Sequence, residues 1–162
     1  MIRILAVCAG NICRSPAAAA AIRQAAGQAG IDVEVDSAGT GSWNIGQPPQ
    51  PQSVAAGARA GLDITGRARK VNRSDFKRFD MIVVMDHANL RDVLDLAPSL
   101  EDRARVRLFR TFDPHTDSDE IPDPYGGTDA DYDATVRQVT AAATGLIDTL
   151  RSGGVQDPVS LD

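Results

Sequence analysis

Apolar residues along this chain come in short bursts separated by alanine-rich or mixed stretches, and that alternation dictates the expected elements. Ile2 to Val7 is a near-continuous apolar run and reads as a buried strand. Pro16 to about Ala29 is rich in alanine, the best helix former, and Gly30 follows as a stop. Val33 to Asp36 gives a short second strand. Ser37 to Pro51 is a glycine- and proline-rich loop carrying the single tryptophan, and Gln52 to Ala60 reads as a helix stopped by Gly61. Met81 to Met85 is apolar throughout, as in a strand covered on both faces, and Asp86 is placed to cap a helix from about His87 to Leu96. Arg105 to Phe109 reads as a last strand, Thr111 to Thr128 as a loop and Asp131 to about Leu150 as the last helix. Ser152 to Asp162 reads as a loose tail. Strands alternating with helices imply parallel pairing through right-handed crossovers, hence one doubly wound α/β domain over residues 1–151 with helices on both faces. In such folds ligands bind at the carboxyl ends of the strands.

Composition agrees with one domain: 162 residues at 43% hydrophobic content are enough for a single sizeable core. No run approaches the roughly 18 apolar residues of a membrane span, and Met1-Ile2-Arg3 runs straight into the first strand without a signal-peptide pattern. The expectation is a cytoplasmic monomer that binds no membrane. A net charge of −5 disfavours binding to nucleic acid. Acidic residues crowd from Asp113 to Asp133 and basic ones from Arg67 to Arg110, both read as solvated surface. The two cysteines, Cys8 and Cys13, lie five positions apart, which gives no disulfide framework and points to a chemical use.

Both cysteines fall in Cys8-Ala9-Gly10-Asn11-Ile12-Cys13-Arg14-Ser15-Pro16, between the first strand and the first helix. Ser15 is expected at N-cap and Pro16 at N1, so that Cys8 leaves the strand as Arg14 enters the helix. Between them the backbone can curl until its N–H groups and the positive helix end converge on one anion. A free thiol is mostly protonated at neutral pH, but a helix N-terminus and a neighbouring guanidinium favour the thiolate, with pKa values of roughly 3.5–7.5 in comparable settings. Arg14 offers a planar fork that can hold two phosphoryl oxygens. Taken singly, Cys8 is a small buried side chain and Arg14 a surface residue; it is their joint placement that suggests phosphate-ester chemistry. The glycine patterns of nucleotide and dinucleotide loops are missing, and zinc fits poorly, since only His87 and His115 could join two cysteines on one tight loop. Reductase, binder and phosphatase all remain open at this point.

The loop resembles that of the low molecular weight protein tyrosine phosphatases, C-x-G-N-x-C-R-S-P. The likeness extends to Asp36-Ser37-Ala38-Gly39-Thr40, Trp43, Gly46, Met85-Asp86 and Asp123-Pro124-Tyr125, and so covers Met1 to about Leu150. It implies a four-stranded parallel sheet, no metal and no cofactor. It also implies that Cys8 is the nucleophile, Arg14 the phosphate clamp and the residues from Ala9 to Ser15 the cradle.

A thiolate that attacks phosphorus needs an acid to protonate the leaving oxygen, and the thiophosphate then needs a base to activate water. One carboxyl group can do both. Asp123 is singled out for it by the family's Asp-Pro-Tyr, where an Asp-Pro turn would otherwise be the plain reading. Trp43 and Tyr125 would be the walls that accept a phosphorylated ring, with Ile12 at the rim, favouring phosphotyrosine proteins as substrates and oxyanions as inhibitors. Asn11, Ser15 and Ser37 would brace the loop, since Asn tolerates a left-handed turn and serine hydroxyls can tie it to neighbours. Cys13 either closes a reversible disulfide with Cys8 after oxidation or is merely packed.

Three positions depart from the family pattern: Gly66 where many members carry histidine, Ala19 where an acid is usual, and Gly126 where a second tyrosine stands. The first two question the loop's support, the third a regulatory phosphorylation site. Rival readings are a protein arginine phosphatase, disfavoured by Ile12 where threonine is usual, an arsenate reductase, which needs relay cysteines absent after Cys13, and a non-catalytic phosphopeptide-binding module, disfavoured by the presence of Cys8 and Asp123.

Overall fold

The computed structural model describes residues 1–153. Four parallel strands form its sheet: β1 (Ile2–Cys8), β2 (Val33–Gly39), β3 (Met81–Val84) and β4 (Val106–Leu108), in the order β2-β1-β3-β4. Helices α1 (Arg14–Ala29), α2 (Pro51–Arg59), α3 (Asp75–Arg78), α4 (His87–Leu96), α5 (Leu100–Arg103) and α6 (Asp129–Arg151) complete the domain.

Side-chain alternation along the strands splits the core in two. Ile4, Ala6 and Cys8 of β1 face α1 and α6, together with Met81, Val83 and Met85. Leu5 and Val7 face the opposite way, toward Phe76, Phe79 and Val93, with Ile82 and Val84 beside them. With both faces covered, a central strand must be apolar at every position, which is why β1 and β3 show no polar alternation. Each aliphatic side chain so buried contributes about 1.5–3 kcal/mol. The alanine run of α1 lets that helix lie close against α6, since Ala17, Ala18, Ala142 and Ala143 are all without solvent exposure.

Chain direction places the site. The chain leaves β1, crosses through α1 to β2 on one side, and later enters β3 on the other side of β1. The carboxyl ends of β1 and β3 therefore flank a topological switch point. Cys8 ends β1, and Asp86 follows β3 by two residues.

Several boundaries differ from the sequence expectation, each for a local reason. Cys8 does not leave the strand: it still pairs with Gly39, which also carries β2 three residues past Asp36. Ser15 is not the N-cap and Pro16 is not at N1. The helix begins at Arg14 behind Cys13, with no side-chain cap, because the Ser15 hydroxyl is engaged by Cys8 and Asn11 instead. Pro16 is still tolerated there, in a first turn whose N–H groups have no helical partner. α2 starts at Pro51 and ends at Arg59, one residue earlier than read at each end. The last strand is shorter than Arg105 to Phe109, since Phe109–Phe112 wind into a 3-10 turn. The last helix starts at Asp129, where Thr128 and Asp131 form a reciprocal capping box. The expected tail, Ser152 to Asp162, lies outside the described residues from position 154 onward.

Candidate active site

At the switch point the chain between β1 and α1 lines a cleft of about 400 Å³, whose lining is completed by Trp43 and Asn44 from one loop and by Asp123 and Tyr125 from another. Cys8, Asn11, Cys13 and Arg14 form its floor and are almost wholly buried; Ala9, Gly10 and Ile12 are partly exposed along it. Ser15 and Ser37 stand behind the lining, bonded to Asn11.

The loop is held by Asn11, the one non-glycine residue with positive φ among those described, at 58°. The orientation of its amide follows from its neighbours. Oδ1 accepts the Arg69 backbone N–H at 3.0 Å, so Nδ2 must face the two hydroxyls, Ser15 Oγ at 2.7 Å and Ser37 Oγ at 2.9 Å. With an Asn11 donor already on its oxygen, Ser15 can turn its own proton to Cys8 Sγ, 3.1 Å away. The Asn11 N–H donates to the same sulfur at 3.2 Å. Cys8 Sγ is thus set up as an acceptor at the bottom of the cleft.

Arg14 is 2% exposed, and its partners are divided by edge. One terminal nitrogen donates to Asp86 Oδ2 at 2.6 Å and to the Ile121 carbonyl at 2.9 Å. Nε has no partner at all, and the other terminal nitrogen has only Asp123 Oδ2 at 3.8 Å. One side of the guanidinium is anchored, then, and the Nε edge is left free in a polar cleft. A buried donor without an acceptor costs about 1–3 kcal/mol, which an oxyanion taken by that edge would recover. The uncapped N-terminus of α1 adds N–H groups of the same sign.

Asp123 is half exposed and held by a turn in which its Oδ1 accepts the Tyr125 N–H at 3.1 Å. Trp43 and Tyr125 are 68% and 64% exposed, so neither is a core residue. The Trp43 ring lies against Gly41, where a Cβ would fall 1.5 Å from the nearest indole atom. At Cys13 burial pushes the thiol up to about 12, and its only side-chain partner is the Tyr132 hydroxyl at 3.9 Å. Cys13 and Cys8 are both free thiols.

Two features were not foreseen. Asp86, for which the sequence suggests no role beyond capping, does accept the Asn89 N–H through Oδ1, but its other oxygen orients Arg14. A carboxylate just beyond a central strand, beside a buried arginine from the neighbouring strand's loop, is the signal that could have found it. Asn44, whose Nδ2 donates to the Gly10 carbonyl at 3.2 Å, ties the Trp43 loop to the cradle. The position of Gly66 offers no support to the loop, being exposed with φ at 124° and open space around it. Support comes instead from Arg69, whose N–H holds Asn11 while its guanidinium binds Asp36 and the buried Asp75. Burial works against the Arg69 charge, but the bonds and charges of Asp75 and Asp36 outweigh it and raise its pKa above the ordinary arginine value.

A buried sulfur acceptor beneath a half-anchored guanidinium, with a carboxylate opposite, can hold a tetrahedral oxyanion and attack it. Known proteins share this plan. The family model described as low molecular weight phosphotyrosine protein phosphatase matches residues 3–156. A low molecular weight protein-tyrosine-phosphatase of Streptomyces coelicolor is 40% identical over 153 residues, 92% of this chain and 93% of that protein. The low molecular weight phosphotyrosine protein phosphatase of Sus scrofa is 33% identical over 151 residues, 91% and 95% of the two chains. Among solved structures, a protein tyrosine phosphatase from Entamoeba histolytica, with Hepes in its active site, superposes with a TM-score of 0.91 at 32% identity, covering 94% of this chain and 99% of that one. With the match spanning nearly the whole sequence and the cleft built from the loop that carries it, this chain belongs to the low molecular weight phosphotyrosine protein phosphatase family.

Proposed function

We propose that this protein hydrolyses phosphotyrosine in protein substrates through a cysteinyl-phosphate intermediate, without metal or cofactor. The observation that carries the reading is the division of Arg14 by edge above Cys8: Asp86 and Ile121 fix one side and leave the Nε edge unpartnered toward the cleft. Phosphoryl transfer asks the protein mainly for positioning and charge stabilisation, and a fork held this way gives both.

In the first step the Cys8 sulfur attacks phosphorus in line with the leaving group, and the P–O bond to the tyrosyl oxygen breaks. The Asp123 carboxyl group gives a proton to that oxygen, so that phenol rather than phenolate departs. In the second step the same carboxylate takes a proton from water, whose oxygen attacks phosphorus. The S–P bond breaks, phosphate is released and the thiolate returns. Arg14 and the loop N–H groups hold the equatorial oxygens throughout. Ser15 and Asn11, both bonded to Cys8 Sγ, keep the leaving sulfur solvated by donors.

Trp43 and Tyr125 supply apolar faces to the cleft from two different loops, with Ile12 beside the floor. A phosphorylated phenol spans the depth between those walls and the cradle, whereas phosphoserine is too short to bring its phosphorus to Cys8. Inorganic phosphate and other oxyanions are expected to inhibit by occupying the cradle. The protein is expected to act as a monomer in the cytoplasm, where reducing conditions keep Cys8 a free thiol. Oxidation of Cys8 is expected to inactivate it, with Cys13 as the nearest candidate disulfide partner in sequence.

The deciding experiment offers phosphotyrosine, phosphoserine and phosphoarginine peptides to the protein in the presence of a chelator, with Cys8→Ser alongside. Turnover of phosphotyrosine alone, lost in Cys8→Ser, is the expected result. Preference for phosphoarginine, or activity surviving in Cys8→Ser, overturns the reading.

A further inference from the structure

The mouth of the cleft is lopsided in charge and carries an apolar residue that the phosphate chemistry does not use. Asn44 to Gln47 make a tight turn closed by the Gln47 N–H on the Asn44 carbonyl at 2.9 Å, with Gly46 at a φ of 84°. Ile45 stands at the tip of that turn and is 61% exposed. The turn is not loose. Gly46 N–H donates to the Ala68 carbonyl at 2.8 Å, Ala68 N–H to the Gln47 carbonyl at 2.9 Å, and Asn44 pins its start to Gly10 of the cradle.

Arg67 sits on the same turn. Its guanidinium donates to the Gly46 carbonyl at 3.3 Å and, among the described residues, forms no ion pair with a carboxylate. Ile45 and Arg67 therefore flank one glycine, directly beyond the Trp43 wall. The Tyr125 stretch has the other sign: Asp123 lines the cleft with Tyr125, and four residues after Tyr125 stands the exposed Asp129, whose Oδ1 is met only by the Gln52 amide at 3.3 Å. Isolated exposed hydrophobics are ordinary, but Trp43, Ile45 and Tyr125 make up half of the six large ones exposed among the described residues; Trp43 and Tyr125 line the opening, and Ile45 directly follows the lining residue Asn44.

Resting on the phosphatase reading above, we infer that the Asn44–Gln47 turn, with Ile45 at its tip and Arg67 beside it, is a second subsite that reads the residues flanking phosphotyrosine. It selects segments with an apolar and an acidic side chain on the Trp43 side of the ring. An extended peptide advances about 3.3–3.6 Å per residue, so the turn is met within two or three positions of the phosphotyrosine. The apolar residue covers Ile45, the carboxylate meets the free face of the Arg67 guanidinium, and a basic residue there is repelled. Asp129 gives the other side the reverse preference. The polarity of the mouth thereby also fixes the direction in which the peptide lies.

The test uses phosphotyrosine peptides that carry leucine and two glutamates on the N-terminal side only, the same residues on the C-terminal side only, or lysines in place of the glutamates. Each kcat/KM is divided by that of p-nitrophenyl phosphate measured on the same variant, so that altered folding or cradle chemistry cancels. At low ionic strength one of the two acidic peptides should exceed its lysine counterpart by about fivefold, the scale of one or two exposed ion pairs. The ratio should shrink as salt approaches the range where the Debye length is about 8–10 Å. Arg67→Glu should abolish or invert it, and Ile45→Ala should lower the normalised rate on the leucine peptide by about threefold, the scale of partly burying one aliphatic side chain. Equal normalised rates for acidic and lysine peptides, or a preference that Arg67→Glu leaves intact, would overturn the subsite while p-nitrophenyl phosphate turnover upholds the phosphatase. Failure of the protein to hydrolyse p-nitrophenyl phosphate or any phosphotyrosine peptide would overturn both.

Discussion

Arg14 and Asp86, brought together from the first residue of α1 and the residue two beyond β3, are joined at 2.6 Å, and the same carboxylate caps α4 through its other oxygen. One side chain thus couples the orientation of the guanidinium to the start of a helix. Asp86→Ala should remove a cap, at about 1 kcal/mol. It should also leave the Arg14 charge, 3% exposed, without its partner, which brings the total destabilisation to about 3–5 kcal/mol. Asp86→Asn can still cap, so urea denaturation should place it between the two, while kcat/KM falls at least about tenfold in both because the fork is no longer fixed. An asparagine variant with unaltered kcat/KM would show that Arg14 is positioned by the Ile121 carbonyl alone.

Asp123 makes its case through leaving-group dependence. A proton donor matters most when the departing oxygen is basic, so Asp123→Ala should slow phenyl phosphate by about 10²–10⁴-fold and p-nitrophenyl phosphate much less. Competitive inhibition by inorganic phosphate should change little, since the cradle is built without this residue. Equal slowing of both substrates would remove Asp123 from proton transfer.

His87 links the head of α4 to the chain that leads into the Asp123 turn: Nε2 meets Asp119 Oδ2 at 2.8 Å, and its N–H donates to Glu120 Oε2 at 2.8 Å. The bond to Asp119 is the main cause of a raised imidazole pKa; desolvation opposes it, and the charges of Asp119, Glu120 and Asp86 reinforce it. A pKa raised on folding gives stability that is complete below the unfolded value near 6.5 and is lost as pH climbs through the higher folded one. The stability gap between the wild type and His87→Gln should therefore be widest near pH 6 and narrow toward pH 9, read as urea midpoints at each pH. A gap that stays constant or widens with pH would contradict the ion pair.

The sheet and its main helices were legible because a doubly covered strand must be apolar at every position, as Met81 to Met85 is, and because Gly30 ends α1 in the left-handed form that glycine takes most easily. What stayed hidden were choices between partners. Ser15 had the sequence position of an N-cap, but a hydroxyl bonds whichever group the fold brings nearest, and here Cys8 and Asn11 outcompete the helix N–H groups. β2 runs on to Gly39 because β1 supplies it with partners up to Cys8, a long-range fact with no local trace in Ser37-Ala38-Gly39. α3 and α5 are four residues each, too short for a period to show. Asp86 looked like a cap and is one; its second bond depends on Arg14, 72 positions away.

The two cysteines should differ sharply toward alkylating agents. Burial holds the Cys13 thiol protonated up to about pH 12, beneath the fully buried Tyr132. Iodoacetamide near neutral pH should label a single thiol in the folded protein, Cys8 by peptide mapping, and saturating phosphate should protect it. Denaturation should expose the second. Labelling of Cys13 in the folded protein at a rate comparable with Cys8 would mean that the floor of the cleft opens far more readily than its packing implies.

Gly41 offers a way to move an aromatic wall without touching the ring itself. A Cβ at this position would lie 1.5 to 2.2 Å from three atoms of the Trp43 indole, so Gly41→Ala must displace the ring. The backbone there does not require glycine, since Gly41 is not among the positive-φ positions, and the fold should survive with little loss. Losing one aromatic face costs about 0.5–1.5 kcal/mol of stacking, so KM for aryl phosphates should rise by about two- to tenfold while phosphate inhibition stays within twofold. Emission from Trp43, the single tryptophan, should report the displacement directly. If the alanine acts only through the ring, then Trp43→Ala should give the same KM and the double variant no further change, because two substitutions that remove one contact do not add. A double variant with summed effects would assign the loss to the loop backbone instead of the indole.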